Sequence, residues 1–160
     1  MRPEIEKTLQ YEGGYANDVA DAGGETNFGI SKRSYPDLDI AGLTREQAGE
    51  IYERDYLKRL NLDSIADIRV RWKVFDLSVN MGTKVATVLA QIATGSFPDG
   101  VLGVKTLLNI NIVQPDVLVR SLADLQNIWY LGIVARNPSQ HKFLNGWLRR
   151  ATDKGESLIS

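Results

Sequence analysis

Two carboxylates in a glycine-rich stretch near the start of the chain could do chemistry together. Glu12-Gly13-Gly14-Tyr15 is followed by Asn17, Asp18, Asp21, Gly23-Gly24, Thr26 and Gly29-Ile30. Such a pair can cleave a glycosidic bond: one acid protonates the departing sugar oxygen, and an ionised partner activates a water or attacks the anomeric carbon. Glu12 is the candidate acid and Asp21 the candidate partner, with Asp18 as its rival. Thr26 offers a hydroxyl that could hold the water, and Tyr15 a ring that could stack on a sugar. The same residues also suit plain structure, since Glu before Gly-Gly is a common helix cap and Asn-Asp-x-x-Asp is ordinary turn chemistry. The acids at 18, 21 and 25 lack the alternating spacing of a calcium loop.

The elements that must hold these groups are readable. Pro3 suits a first helical position, and Ile5, Thr8, Leu9 and Glu12 share one face, which predicts a helix over residues 3–12 with Gly13 as its left-handed cap. Glu12 would then lie among unpaired helix-end carbonyls, with Tyr11 and Tyr15 to strip water from it, both of which favour a protonated acid. Asp21, in a polar turn rich in free amides, would stay ionised. Residues 15–18 and 28–31, joined through that turn, form a predicted hairpin.

Helical periodicity dominates the remainder. Thr44-Arg45-Glu46-Gln47 has capping-box form and opens a helix to about residue 57. Apolar spacing predicts helices over 67–81, 83–94 and 104–111, a long one from Pro115-Asp116 to Asn137-Pro138, and a last one from Ser139 carrying Phe143, Leu144, Trp147 and Leu148 toward the core. The expected fold is mainly α, with about six to seven helices and a small β-hairpin. Asp76 and Asn80, four apart on helix 67–81, could line a sugar cleft or simply pack. Tyr35, Trp72, Trp129 and Trp147 could stack on saccharides, although Trp129 and Trp147 sit on apolar stripes and read better as core.

Composition narrows the functions. The 160 residues are 43% apolar, enough for one core. There is no cysteine and one histidine, His141, so thiolate chemistry, disulfides and multi-histidine metal centres are excluded and no cofactor is expected. Residues 1–100 carry 12 basic against 16 acidic side chains, and residues 101–160 carry 7 against 4. The basic excess suits an anionic polymer or a solvated helix face; with no basic run interleaved with aromatics, nucleic acid is not an expected partner. No apolar leader or membrane-spanning run is present, so synthesis in the cytoplasm and later release or non-classical export is expected for an enzyme of the wall.

The chain resembles a known family. Glu12-Gly13-Gly14-Tyr15, Asn17-Asp18, Asp21, Gly23-Gly24, Thr26 and Phe28-Gly29-Ile30-Ser31 are similar to the signature of glycoside hydrolase family 108, the N-acetylmuramidases found as phage endolysins and secretion-activator-type proteins. Residues 75–82, 99–106 and 143–150 resemble the C-terminal segment described as a predicted peptidoglycan-binding region. Ala22 departs from the proline often found after the acid at 21. The resemblance implies a monomeric, lysozyme-like body over 1–160, with a motif-bearing lobe over 1–65 and a helical lobe over 66–160. It implies muramidase activity on peptidoglycan glycan strands with Glu12 as the motif acid. Asp21 and Thr26 also resemble the Glu-Asp-Thr set of phage-type lysozymes. Lytic transglycosylase activity, which needs Glu12 alone, and a non-catalytic wall-binding or regulatory role are the alternatives.

Overall fold

The structure, a computed structural model, describes residues 1–17 and 24–159. Asp18 and Asp21 lie outside the described residues. The chain divides into two compact units, Met1–Asp55 and Tyr56–Ser160.

The first unit opens with α1 (Pro3–Leu9), which has Pro at its start as expected but ends three residues earlier than the periodicity suggested. Its C-cap is Gln10 in right-handed conformation, not Gly13. Three short strands follow, β1 (Ala16–Asn17), β2 (Glu25–Asn27) and β3 (Ile30–Ser31), in one antiparallel sheet of order β1-β2-β3. The predicted hairpin of residues 15–18 with 28–31 is thus replaced by a sheet whose middle strand is made of the residues read as a turn. Ala16 pairs with Thr26 and Thr26 with Ser31. The β2–β3 connection is the two-residue Phe28-Gly29, with φ 50° and 76°, positive at both positions as a type I′ turn requires. Asn27 braces the sheet by donating from Nδ2 to the carbonyls of Ile40 (3.1 Å) and Leu43 (3.4 Å).

α2 (Arg45–Tyr52) carries the predicted capping box: Thr44 accepts from the Gln47 amide, and the Gln47 side chain accepts from the Thr44 amide. Ile5, Leu9, Ile30, Ile40, Leu43, Ala48, Ile51 and Tyr52 form the core of this unit. Beyond Tyr52 the helix widens into a π-helical stretch, Glu53–Lys58.

The second unit is helical. α3 (Ile68–Met81), α4 (Thr83–Ala93), α5 (Val104–Ile112), α6 (Pro115–Arg136) and α7 (His141–Thr152) fall close to the predicted ranges. Asp67 caps α3 by accepting from the Arg69 and Val70 amides, and Gly82, at φ 87°, turns α3 into α4. α3 packs on α4 and α6, and α6 on α7. Trp72, Val74, Phe75, Leu77, Ala86, Leu118 and Leu122 are fully buried.

The last helix is held differently from expectation. Phe143 is 46% exposed and Leu144, Trp147 and Leu148 are only half-buried, while Arg150 and Ala151 are its buried residues. Arg150 reaches α3 and donates to both oxygens of Asp76, at 3.0 and 2.9 Å, with Asp76 wholly buried. Lys73, also on α3, donates to the carbonyls of Ala151 (2.7 Å) and Asp153 (3.1 Å), satisfying the acceptors that a helix end leaves open. α7 is anchored by charge-assisted hydrogen bonds rather than by an apolar stripe. The Asp76 carboxylate is therefore consumed inside the core and does not line a sugar cleft.

Candidate active site

Glu12 stands in the bend after α1, half-buried, and its setting is defined by Gly29 and Tyr52. A Cβ placed on Gly29 would collide with Glu12 Oε2, lie 2.9 Å from Glu12 Cδ and 2.6 Å from the Tyr52 hydroxyl. Gly29 is thus required twice, by its positive φ and by the carboxylate and phenol that converge on its bare Cα. Tyr52 is 1% exposed and donates its hydroxyl to the Phe28 carbonyl at 2.7 Å. Phe28 holds a left-handed conformation unusual for an aromatic residue, so the bond pins a strained turn beneath Glu12.

This geometry corrects the sequence picture in two respects. Glu12 lies outside the helix, so the carbonyls of a last helical turn are not what defines its surroundings. Tyr11 and Tyr15, expected to shield it, are 37% and 51% exposed. Tyr15 instead donates to Glu25 Oε1 at 3.0 Å; that hydrogen bond, more than its slight burial, holds the phenol above its ordinary pKa. Tyr52 was readable only as an apolar-face residue of α2, because its role depends on a contact 40 positions from Glu12 in sequence.

Thr26 sits half-buried in the middle of β2 between Ala16 and Ser31. Strand alternation sets it on the face opposite Glu25 and Asn27. Among the described residues, nothing lies within 4 Å of a Cβ built on Gly13 or Gly14. In the second unit, Asn80 is exposed and accepts a short hydrogen bond from Tyr130. It parts company with Asp76, its neighbour one turn away. Trp72 is fully buried and offers no ring, while the half-buried Tyr35 donates its hydroxyl to Asp55 Oδ2 at 2.7 Å. Among the described residues no group of three His, Asp or Glu side chains is placed to hold a metal ion.

The Glu12 carboxyl and the buried Tyr52 hydroxyl thus converge on Gly29. Comparison with known proteins gives the class: residues 5–82 match the family model for glycosyl hydrolase 108, and residues 85–152 match the one described as a predicted peptidoglycan domain. The chain is a glycoside hydrolase that acts on peptidoglycan. Residues 5–82 thus form a glycosyl hydrolase 108 domain, joined to a predicted peptidoglycan domain over residues 85–152. Its fold is similar to that in the "Structure of Brucella abortus SagA", with a TM-score of 0.77 and 26% identity over 92% of this chain and 87% of that one. No curated protein matches the chain. No helix among the described residues is long and apolar enough to cross a membrane.

Proposed function

We propose that the protein is an N-acetylmuramidase in which Glu12 is the general acid. The observation that carries this reading is the convergence of the Glu12 carboxyl and the Tyr52 hydroxyl on Gly29, within the segment that matches the glycosyl hydrolase family. Glu12 gives its proton to the glycosidic oxygen as the bond to the anomeric carbon of N-acetylmuramic acid breaks, and a water completes the hydrolysis. Tyr52 holds the Phe28-Gly29 turn and so fixes the floor on which the carboxyl rests. Glycan approaches along Gly13-Gly14, with Tyr15 as a stacking ring. Asp21 supplies the base or nucleophile and Thr26 holds the water; these two roles rest on the family resemblance of the motif. The enzyme works as a monomer on the wall, reaching it by release or non-classical export.

Mass spectrometry of digested peptidoglycan tests the reaction type. Hydrolysis leaves a reducing N-acetylmuramic acid that has gained one water. An anhydro-sugar product would make the enzyme a lytic transglycosylase, and wall binding without fragments would make it a binding protein.

A further inference from the structure

The unit 56–160 carries an aromatic strip on α6 and α7 that its core does not consume. Tyr130 and Trp147 stack with centroids 5.1 Å apart and planes at 24°, and Phe143 stacks on Trp147 at 5.9 Å and 28°. Exposure rises along the strip, from a buried Tyr130 through a half-buried Trp147 to an open Phe143. The buried end is wired to a surface amide. Gln126, fully buried, donates from Nε2 to the Tyr130 hydroxyl at 3.0 Å, and Tyr130 donates onward to Asn80 Oδ1.

A phenol has one proton, and Tyr130 already receives one from Gln126, so it gives its own to Asn80. That direction turns the Asn80 NH2 away from Tyr130, and Asn80 is exposed. Gln126 Oε1 has no hydrogen-bond partner among the described residues. Charge adds to this. Lys142 Nζ lies 4.9 Å from the Phe143 centroid, Arg149 is exposed, and α7 contains no acidic residue.

We infer that this strip is a glycan-binding subsite for a strand bearing N-acetyl groups and carboxylates. Sugar faces stack on Phe143 and the edge of Trp147, the acetamido carbonyl accepts from the Asn80 NH2, and Lys142 and Arg149 face the carboxylates. The inference rests on peptidoglycan being the substrate and deepens that reading, since it assigns recognition of the strand to named residues of the second unit.

The test uses the full chain carrying Glu12→Gln, titrated by NMR with a β-1,4-linked N-acetylglucosamine tetramer. A glucose tetramer of the same linkage serves as the control without acetamido groups. The N-acetylated tetramer should shift the Asn80 side-chain amide and the Trp147 indole signals, and the glucose tetramer should bind more weakly. Phe143→Ala, at an exposed position, should weaken binding about tenfold, and Asn80→Asp should erase the preference for the N-acetylated tetramer. Lys142→Ala should weaken capture on purified walls but not binding of the neutral tetramer. The subsite is overturned by unshifted Asn80 and Trp147 signals, by unchanged affinity in Phe143→Ala, or by a concentration-dependent dimer that forms through this strip and ignores both tetramers. Reducing-end release from walls by the unsubstituted chain and by Glu12→Gln, measured in parallel, separates the two readings: full release by Glu12→Gln with shifted Asn80 and Trp147 signals overturns the Glu12 assignment alone, and release lost in Glu12→Gln with unshifted signals overturns the subsite alone.

Discussion

Gly29 shows how much of the site hangs on one missing Cβ. Replacing it with Ala demands a left-handed backbone that costs about 1–2 kcal/mol in an L residue, and adds a clash with the Glu12 carboxyl and the Tyr52 hydroxyl. Gly29→Ala should therefore lower the melting temperature and wall-cleaving activity together, whereas Gly14→Ala, with no positive φ and nothing among the described residues within 4 Å of an added Cβ, should leave the melt unchanged. Equal melts for the two variants would contradict the geometry. Tyr52→Phe removes the bond to Phe28 and should cost about 1 kcal/mol in a denaturant titration, with a fall in kcat. Glu12 stands out in the sequence as the candidate acid because a carboxylate beside Gly-Gly-Tyr is a local pattern. Gly29 is marked by the motif but its contact with the carboxyl is not, and Tyr52 is not marked at all, because both roles come from contacts made across the fold.

Among the elements, helix ranges followed directly from apolar spacing, and the Thr44 capping box from four adjacent residues. The failures share a cause. α1 stops at Leu9 because the pattern through Glu12 reflected a face shared in space, not a continued helix. The strand at 25–27 was hidden because its sequence, Glu-Thr-Asn, carries turn-forming residues and is held by pairing on both sides. α7 looked amphipathic toward a core, yet its anchor is Arg150 on Asp76. Breaking that buried pair leaves an uncompensated charge and costs about 3–5 kcal/mol. Asp76→Ala should thus unfold the second unit at markedly lower denaturant, while an Asp76→Met, Arg150→Met double variant should recover much of the loss. A double variant no more stable than Asp76→Ala would show that α7 is held by something else.

At the level of the whole molecule, three acids of the second unit share a pH signature. Burial pushes the Asp67 carboxyl up, but hydrogen bonds from the Arg69 side chain and from the Val70 and Arg69 amides outweigh it and leave it below its ordinary 3.8. Asp99 is held down by the Val101 amide and Gln91, and Asp116 by Gln114 and Arg69. Carboxyls with lowered folded values resist protonation in the folded state only, so the stability they contribute is present above the unfolded pKa and is lost as pH falls through the folded values. Thermal melts should be flat in this contribution above about pH 5 and fall steadily below about pH 4. Asp67→Asn should have a lower melt near neutrality and a shallower acid decline; an undiminished acid slope in that variant would contradict the assignment.

The central claim is that Glu12 donates the proton that cleaves the glycan strand. Purified peptidoglycan incubated with the unsubstituted chain and with Glu12→Gln, followed by an assay of new reducing ends, tests it most directly. Glu12→Gln keeps the shape of the side chain on Gly29 while removing the acid. The account predicts the same melting temperature within a degree or so and reducing-end release at least about 10²-fold lower. Full release from a folded Glu12→Gln protein would contradict it.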